Sequence, residues 1–260
     1  MPEPDVALLE AAAREAGALA LDWVGKPNAV REKPDGHGPV SEADLAVDSL
    51  LRGRLTAARP DYGWLSEESE DGPRRLEAAR LFIVDPIDGT RAYLAGQPTW
   101  ALSLAVVEAG RPVAAVVFLP AFARIYAAAA GGGALRNDTA IAASARAELD
   151  GARVMATSSQ LAAEHWPGGA PSVDRRFRPS LAYRLCLVAD GQVDAMLTFR
   201  PTWEWDIAAG ALIATEAGAR VTDGDGAPLA FGQAQPLVPG VMAAGPRLHA
   251  ELLARRHPPA

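Results

Sequence analysis

A short segment, LFIVDPIDGT at residues 81–90, changes abruptly from apolar to acidic. Its first part, Leu81 to Val84, is a run of apolar residues that is typical of a buried strand. Asp85 and Asp88 then stand three positions apart, at the point where the strand stops and a helix can begin. We therefore predict that both carboxylates point at one spot beside the end of a strand.

The residues that follow, Gly89 and Thr90, are suited to an anion. Glycine permits a close approach of the backbone, and free N–H groups at the start of a helix can hold a phosphate. An anion and two carboxylates are compatible at one place only if cations lie between them. The segment thus predicts a phosphate beside metal ions, although Asp85 and Pro86 are also compatible with a simple turn.

Further acids occur elsewhere in the chain, and each has a purely structural alternative. Glu67 and Glu68 are adjacent, and adjacent acids usually lie on a solvated loop. Asp206 stands at the head of a predicted helix, where an N-cap is the simple alternative, and Asp44 can complete a capping box with Ser41. Oxygen-only ligands of this kind suit Mg²⁺ or Mn²⁺. Spacing alone leaves both alternatives open.

The composition is that of a soluble globular protein. Of the 260 residues, 49% are hydrophobic and 22% are charged, which excludes a disordered or fibrous chain. The 25 basic and 32 acidic side chains leave a formal net charge of −7. This balance disfavours binding to a nucleic acid polymer or an anionic membrane, whereas a small anionic substrate is compatible with it where positive charge is local.

Several features predict a cytoplasmic location. Cys186 is the only cysteine, so no internal disulfide can form, and its apolar context predicts a place in the core. The N-terminal residues carry acids instead of a basic and then an apolar region, which is unlike a secretory signal. The uncharged stretch at residues 92–107 is too short and too interrupted to span a bilayer, so no stable membrane insertion is expected.

The spacing of apolar residues predicts a mixture of helices and strands. Helices are predicted over residues 5–24, 41–58, 180–189 and 206–217, and strands over residues 81–84, 100–107, 112–119, 124–130, 153–157, 193–199 and 220–222. Between residues 136 and 151 the chain turns polar and alanine-rich, which predicts a boundary. We expect an N-terminal α+β lobe, residues 1–145, with the candidate metal-binding motifs, and a C-terminal α/β lobe, residues 146–260, with Asp206 and the substrate pocket.

Taken together, four motifs resemble those of the metal-dependent, lithium-sensitive phosphatase superfamily that includes inositol monophosphatase and 3'(2'),5'-bisphosphate nucleotidase. In family order they are PVSEAD (39–44), LSEES (65–69), VDPIDGT (84–90) and WDIAAG (205–210). The looser resemblance runs from about residue 5 to residue 250. It implies a mixed α/β (α+β) fold, an alternating αβαβα layered sandwich of the sugar-phosphatase type.

The resemblance implies a role for each matched residue. Metal binding is implied for Glu67, Asp85, Asp88, Asp206 and the backbone carbonyl of Ile87. Phosphate binding is implied for Asp88, Gly89 and Thr90. The cofactor would be two or three Mg²⁺ ions, with Mn²⁺ as the alternative.

The catalytic steps are implied in the same way. Thr90 and Asp44 match the pair that orients and deprotonates the attacking water, and Asp206 would orient a water that protonates the leaving oxygen. Glu68 matches a neighbour that supports Glu67. Lys33 matches a basic residue on a mobile entry loop, here KPDGHGP at residues 33–39. Its glycines would permit closure over the substrate, which the sequence alone leaves open.

The leaving group is the harder question. Phe199 stands seven positions before Asp206, where inositol monophosphatases commonly carry a glutamate, and the sequence around it resembles the bisphosphate nucleotidase branch. Phe199 is expected to stack on an adenosine. Arg184 or Arg200 is expected to hold the second phosphate, although Arg184 is equally compatible with a helix-surface charge.

The leading hypothesis is therefore hydrolysis of the 3'-phosphate of adenosine 3',5'-bisphosphate. The alternative enzyme is an inositol-1-phosphate or other sugar-phosphate monophosphatase. A non-enzymatic binding module is disfavoured because every acid that the chemistry needs is present. A homodimer is expected from similar proteins.

Overall fold

The computed structural model describes residues 4–26, 28–33 and 38–258. The helices in these ranges are α1 (Asp5–Trp23), α2 (Glu42–Ala58), α3 (Thr90–Leu94), α4 (Leu181–Ala189), α5 (Glu204–Glu216) and α6 (Pro246–Arg256). The four helices predicted from apolar spacing are confirmed as α1, α2, α4 and α5. Within the described ranges, no helix combines the length and the hydropathy needed to cross a membrane.

Most of the strands are short. In chain order they are β1 (Val30–Glu32), β2 (Pro39–Ser41), β3 (Gly63–Ser66), β4 (Arg80–Asp88), β5 (Ala101–Glu108), β6 (Arg111–Leu119), β7 (Arg124–Ala129), β8 (Ala134–Arg136), β9 (Thr139–Ala140), β10 (Arg153–Met155), β11 (Asp174–Arg176), β12 (Ala195–Thr198), β13 (Thr202–Trp203), β14 (Arg220–Thr222), β15 (Leu237–Val238) and β16 (Val241–Ala244). Each of the seven predicted strands coincides with one of these elements to within a few residues.

A seven-stranded sheet contains β3 to β9 in sequence order. β3 and β4 pair in parallel, and each later pair is antiparallel. β4 carries the acidic segment, and its pairing with β5 becomes irregular between Asp85 and Asp88. An irregular ladder re-aims side chains, and here it lies at the two carboxylates.

Both faces of β4 are buried, so its apolar residues alternate between two cores. Phe82 and Val84 pack with α1 and α2 on one face. Leu81 and Ile83 pack on the opposite face with residues of α4 and α5. This period of two is the one expected of a strand that is covered on both sides.

A second sheet completes the layers. It contains five strands in the order β11-β10-β12-β16-β14. Met196 of β12 shares a core with Ile83, whereas Leu197 of the same strand packs with Leu248 and Leu252 of α6. The layers are thus α1 and α2, the first sheet, α4 and α5, the second sheet, and α6. This arrangement confirms the predicted αβαβα sandwich.

The two central helices approach each other closely. A Cβ atom placed on Gly210 of α5 would lie 2.7 Å from the Cβ of Leu185 in α4. Glycine is therefore required at this crossing, because any side chain would push the helices apart. The crossing keeps the beginning of α5, and with it Asp206, beside the beginning of α4.

The division into lobes at residue 145 stays a prediction. The first sheet ends at Ala140 and the second begins at Arg153, so the chain changes sheets in the predicted region. One apolar core nevertheless includes Ile83 of the first sheet and Met196 of the second.

A buried histidine in α6 makes the fold sensitive to acid. Nε2 of His249 lies 2.9 Å from Oγ1 of Thr222. Its Nδ1 atom is buried and lacks a hydrogen-bond partner among the described residues. Burial, with a further contribution from the charge of Arg220, lowers the pKa of His249 to about 4. Protonation of this ring is therefore more costly in the folded than in the unfolded protein.

We expect the variant His249→Gln to lose less of its free energy of unfolding than the unaltered protein does as the pH falls from about 6.5 to about 4. The unfolded imidazole binds a proton below about pH 6.5, whereas the folded one does so only near pH 4. The stability that the neutral histidine contributes is thus fully present above pH 6.5. The free energy of unfolding falls by up to about 3 kcal/mol as the pH drops towards 4. Urea unfolding of both proteins across this pH range measures the difference, and parallel profiles would contradict the assignment.

Candidate active site

Three carboxylates from distant parts of the chain converge. Asp85 and Asp88 lie at the end of β4, and Asp206 lies in the first turn of α5. Each offers a carboxylate oxygen, and these oxygens all lie within 4.8 Å of one another. Asp85 and Asp88 are buried, and Asp206 is partly buried. The structure thus brings together acids whose convergence sequence spacing alone left open.

Asp88 is held at the N-terminus of α4. Its Oδ2 atom accepts hydrogen bonds from Oγ of Ser180 and from the backbone N–H of Ala182, both at 2.7 Å. Ser180 also accepts the backbone N–H of Tyr183 at 2.9 Å, so it caps the helix while it donates to Asp88. The positive end of the helix dipole favours a carboxylate at this position.

The first turn of α5 is anchored on two sides. Oγ of Ser103 donates to the backbone carbonyl of Trp205 at 2.9 Å. The buried carboxylate of Glu204 accepts two backbone N–H groups from residues 232–233. Because α5 begins two residues before Asp206, Asp206 is not the N-cap, and that structural alternative is corrected.

Asp44 uses its two oxygens for different contacts. Its Oδ2 atom accepts the backbone N–H of Ser41 at 2.9 Å and the Ser41 hydroxyl at 2.5 Å, which confirms the predicted capping box. Its Oδ1 atom faces Oγ1 of Thr90 at 3.4 Å, and Thr90 also donates to the carbonyl of Ile87 at 3.1 Å. The capping role therefore leaves one oxygen for chemistry at Thr90.

Glu67 and Glu68, which border the cluster, both form ion pairs with Lys33. Nζ of Lys33 donates to Oε1 of Glu67 at 2.7 Å and to Oε1 of Glu68 at 2.8 Å. Lys33 is thus placed beside the acids, as the motif resemblance implies. Residues 34–37 of the predicted entry loop lie outside the described residues, and the question of its closure over the substrate lies there as well.

Burial and crowding perturb the acids. Burial, followed by the charges of Glu67 and Asp88, raises the pKa of Asp85 well above its ordinary value. The same two causes raise the pKa of Asp206 strongly, with burial again the larger. Burial raises the pKa of Asp88 to about 6 and, with the charge of Glu67, raises that of Glu68 to about 7. A bound cation would favour the ionised forms.

The donor set fits a hard divalent cation, since it consists of carboxylate and carbonyl oxygens at the meeting point of buried acids. The residues that would hold such a cation are Glu67, Asp85, Asp88, Asp206 and the carbonyl of Ile87. No histidine or cysteine takes part in this set, so a zinc-type site is not indicated.

A cavity of about 680 Å³ opens beside Gly89 and Thr90. Arg91, Arg184 and Arg200 are the positively charged residues among its described lining. Arg200 and Arg91 also line an adjoining groove of about 390 Å³, which contains Asp206 and Lys33. Arg91 and Arg200 are therefore shared between the cavity and the groove that contains Asp206.

Arg184 is a buried lining residue. Its side chain is almost fully enclosed, which corrects the alternative that it is a helix-surface charge. Its Nε atom donates to the carbonyl of Arg178 at 2.5 Å, and the guanidinium lies 4.5 Å from the ring centre of Phe177. Phe177 is 44% exposed and lines the same cavity.

Phe199 does not reach the cavity, so its predicted stacking role is corrected. The ring packs in the core of the second half, beside the ring of Trp166 and 4.0 Å below the guanidinium of Arg256. The cavity is lined instead by Leu197, Thr198 and Arg200, the neighbours of Phe199 in the chain. A count of positions back from Asp206 cannot reveal which of these side chains faces the cavity.

Other lining residues were not predicted from the sequence. Phe177 follows β11, and Gln160 lies in a short 3₁₀ helix, Ser158–Leu161, where its Oε1 atom accepts the backbone N–H of Phe199 at 2.6 Å. Neither belongs to a motif, so the sequence offers no signal for them. Arg91 directly follows the VDPIDGT motif, and its adjacency to Thr90 is a signal that could have found it.

Comparison with known proteins agrees with this geometry. The model of the inositol monophosphatase family matches residues 1–258. An inositol-1-monophosphatase from Rhizobium meliloti is 38% identical over 197 residues, which cover 72% of this chain and 73% of that protein. A 3'-phosphoadenosine 5'-phosphate phosphatase from Mycobacterium leprae is 32% identical over 259 residues, which cover 90% of this chain and 87% of that protein.

The fold has close counterparts among solved structures. The extragenic suppressor protein suhB from Bartonella henselae superposes with a TM-score of 0.81 at 28% identity, and 98% of each chain is covered. The layered fold and the acidic cluster together define a metal-dependent phosphatase that acts on small phosphorylated substrates. The chain belongs to the inositol monophosphatase family. The relationship to bisphosphate nucleotidases is confirmed as well, since relatives carry both names.

We expect Mn²⁺ to raise the melting temperature more at about pH 7.5 than at about pH 5.5. Protons compete with the cation because the pKa of Asp88 is raised to about 6 and that of Glu68 to about 7. Saturation at about 100 times the dissociation constant adds about 2.7 kcal/mol, which corresponds to a rise of about 5–10 °C in a chain of this size. Differential scanning fluorimetry measures the melting temperature with and without Mn²⁺ at both pH values.

The control is the variant Asp85→Asn. It removes one carboxylate from the cluster and should lose most of the Mn²⁺-dependent rise at the higher pH. An equal rise in this variant and in the unaltered protein would place the cation elsewhere.

Proposed function

We propose that this phosphatase uses Mg²⁺ to hydrolyse the 3'-phosphate of adenosine 3',5'-bisphosphate. The observation that carries the proposal is the positive charge on the leaving-group side of the cavity. Arg91, Arg184 and Arg200 line the cavity there, whereas Glu67 is the only acid among its described lining residues. The name of the Mycobacterium leprae relative supports the same substrate class.

The charge argument separates two kinds of leaving group. The alcohol released from a nucleoside bisphosphate still carries a phosphate dianion, which guanidinium groups bind by charge-assisted hydrogen bonds. The alcohol released from an inositol phosphate is neutral and gains little from three cations. Arg184 is buried and lies close enough to Asp88 for that carboxylate to compensate part of its charge. Its place in the lining adds a cation that a charged leaving group can contact.

An aromatic ring is available for the nucleobase. Phe177 lines the mouth of the cavity and remains 44% exposed. One side of its ring is covered by the guanidinium of Arg184 at 4.5 Å. Flat aromatic bases stack on such rings with a gain of about 1–3 kcal/mol. Phe177 thus takes the stacking role in this proposal in place of Phe199.

The residues of the chain divide the reaction between them. A bound divalent cation supplies Lewis-acid stabilisation and lowers the pKa of a water. Thr90 and Asp44 orient the attacking water, and Asp44 can accept its proton because burial raises the pKa of this carboxyl group. The water oxygen bonds to phosphorus, the ester P–O bond breaks, and the departing oxygen takes a proton from a water oriented by Asp206.

The second candidate is an inositol or other sugar monophosphate. The name of the Rhizobium meliloti relative supports it. Thr198, which lines the cavity at the end of β12, is a hydroxyl residue that can bond to a sugar hydroxyl. Thr198 is uncharged, so it would not discriminate against a bisphosphate substrate.

Other parts of the proposal extend the family assignment. We expect Mg²⁺ as the resident cation with Mn²⁺ as a substitute, and inhibition by lithium. We also expect a cytoplasmic location and a homodimer.

We expect the variant Arg200→Met to change substrate selectivity. It should lower kcat/KM for adenosine 3',5'-bisphosphate by about 10- to 100-fold relative to inositol 1-phosphate, because one charge-assisted bond to the second phosphate is lost. The matched control is Arg111→Met, which removes an exposed guanidinium at the start of β6, outside the described lining, and should leave the ratio unchanged. Steady-state phosphate release with both substrates measures it.

The same assay tests the substrate itself. If the unaltered protein hydrolyses inositol 1-phosphate faster than the bisphosphate by orders of magnitude, the nucleotidase proposal is wrong and the second candidate replaces it.

We expect Asp44→Asn to lower kcat by about 10²- to 10⁴-fold while Mn²⁺ binding changes little, because it removes the proton acceptor and leaves the carboxylate cluster intact. The asparagine oxygen can still accept the Ser41 N–H, so α2 keeps its cap. Turnover and calorimetric metal titration measure the two effects separately. Near-normal turnover in this variant would exclude Asp44 as the base.

A further inference from the structure

Asp48, a buried carboxylate outside the predicted site, accepts hydrogen bonds from both ends of the segment that carries Glu67. Asp48 lies one helical turn after Asp44 in α2 and is 7% exposed. One of its oxygens accepts the hydroxyl of Ser66 at 2.5 Å, and the other accepts the hydroxyl of Ser69. These two serines bracket Glu67 and the residue after it, so Asp48 holds the acidic segment at both ends.

The surrounding hydrogen bonds require a carboxylate at this position. Oγ of Ser66 accepts the backbone N–H of Glu68 at 3.4 Å, and Oγ of Ser69 accepts Nε1 of Trp64 at 3.2 Å. Each serine thus receives one N–H group and has its own proton left to donate. Asp48 accepts both protons, one on each oxygen. An amide would present an N–H group to one serine in place of an acceptor.

The segment needs such a restraint because its surroundings repel it. Glu67 and Asp206 line the same groove, and Asp206 belongs to the cluster with Asp85, so carboxylates of like charge are crowded there. Lys33 offsets part of this repulsion from one side. The backbone N–H of Glu67 is held to the carbonyl of Val84 at only 3.3 Å, which is a long hydrogen bond.

We propose that Asp48 is a positioning residue, which holds Glu67 at the distance from Asp85 that a divalent cation requires. Its carboxylate acts through Ser66 and Ser69 and does not touch the cation or the substrate. The inference rests on the metal-binding role of Glu67 and not on the identity of the substrate. Residues that orient metal ligands typically contribute 10- to 100-fold to metal affinity.

The test is calorimetric titration of the metal-free protein with Mn²⁺. Asp48→Asn has nearly the same size and should weaken Mn²⁺ binding by about 10- to 100-fold. At saturating Mn²⁺ its kcat should stay within a few-fold of normal, because the catalytic groups remain in place. Ser69→Ala removes one of the two bonds and should weaken binding to a smaller extent.

The matched control is Asp194→Asn. Asp194 is equally buried and accepts a serine hydroxyl, that of Ser144 at 2.7 Å, together with the backbone N–H of Arg153 at 2.9 Å. It lies in the second half of the chain, away from the carboxylate cluster. This variant should melt at a lower temperature and bind Mn²⁺ normally.

The outcomes separate positioning from stability. If Asp48→Asn lowers the melting temperature but binds Mn²⁺ as tightly as the control does, Asp48 is only structural and the proposal is overturned. If Asp48→Asn does not fold, Ser69→Ala decides, and normal Mn²⁺ affinity in that variant overturns it as well. If the unaltered protein does not bind Mn²⁺, the metal assignment itself fails, whichever substrate is cleaved.

Discussion

Repulsion among crowded carboxylates is the constraint on which the rest of the structure depends. Asp85, Asp88 and Asp206 place oxygens within 4.8 Å of one another. Like charges at this separation in a partly desolvated site strongly disfavour ionisation. Burial is the larger cause of the raised pKa of all three carboxyl groups, and repulsion by neighbouring acids adds to it at Asp85 and Asp206. The chain therefore holds a preformed site whose cost a divalent cation would offset.

Each acid is kept in place by a different layer of the fold. Asp88 is bound to the N-terminus of α4, and Asp206 lies in a turn that the first sheet holds through Ser103. The first helical layer contributes Asp44, and its Asp48 grips the segment around Glu67. No single element could hold the acids against their repulsion, which explains why a site of a few residues requires several packed layers.

The cavity beside the cluster shows how one catalytic core can serve different substrates. In the function proposed above, the acids hold cations that bind what all phosphate monoesters share, namely the phosphoryl group. The leaving group would then meet a separate set of lining residues, in which Arg184 and Arg200 provide charge and Phe177 provides an aromatic surface. Phe177 and Arg200 lie outside the helices and strands, where substitution disturbs the core least, whereas Arg184 lies within α4.

The sequence by itself determined the main helices and strands and the acidic motifs, because these depend on local periodicity, capping and spacing, and the resemblance of the motifs implied the αβαβα order. The contact of Asp44 with Ser41, for example, follows from the capping-box spacing alone. Only the tertiary structure decided which side chains meet across layers. In it, Phe199 packs in the core and Thr198 lines the cavity. Arg184 is buried, and Asp48 accepts hydrogen bonds from Ser66 and Ser69. Such contacts depend on strand orientation and on packing between distant segments, and no local pattern encodes either.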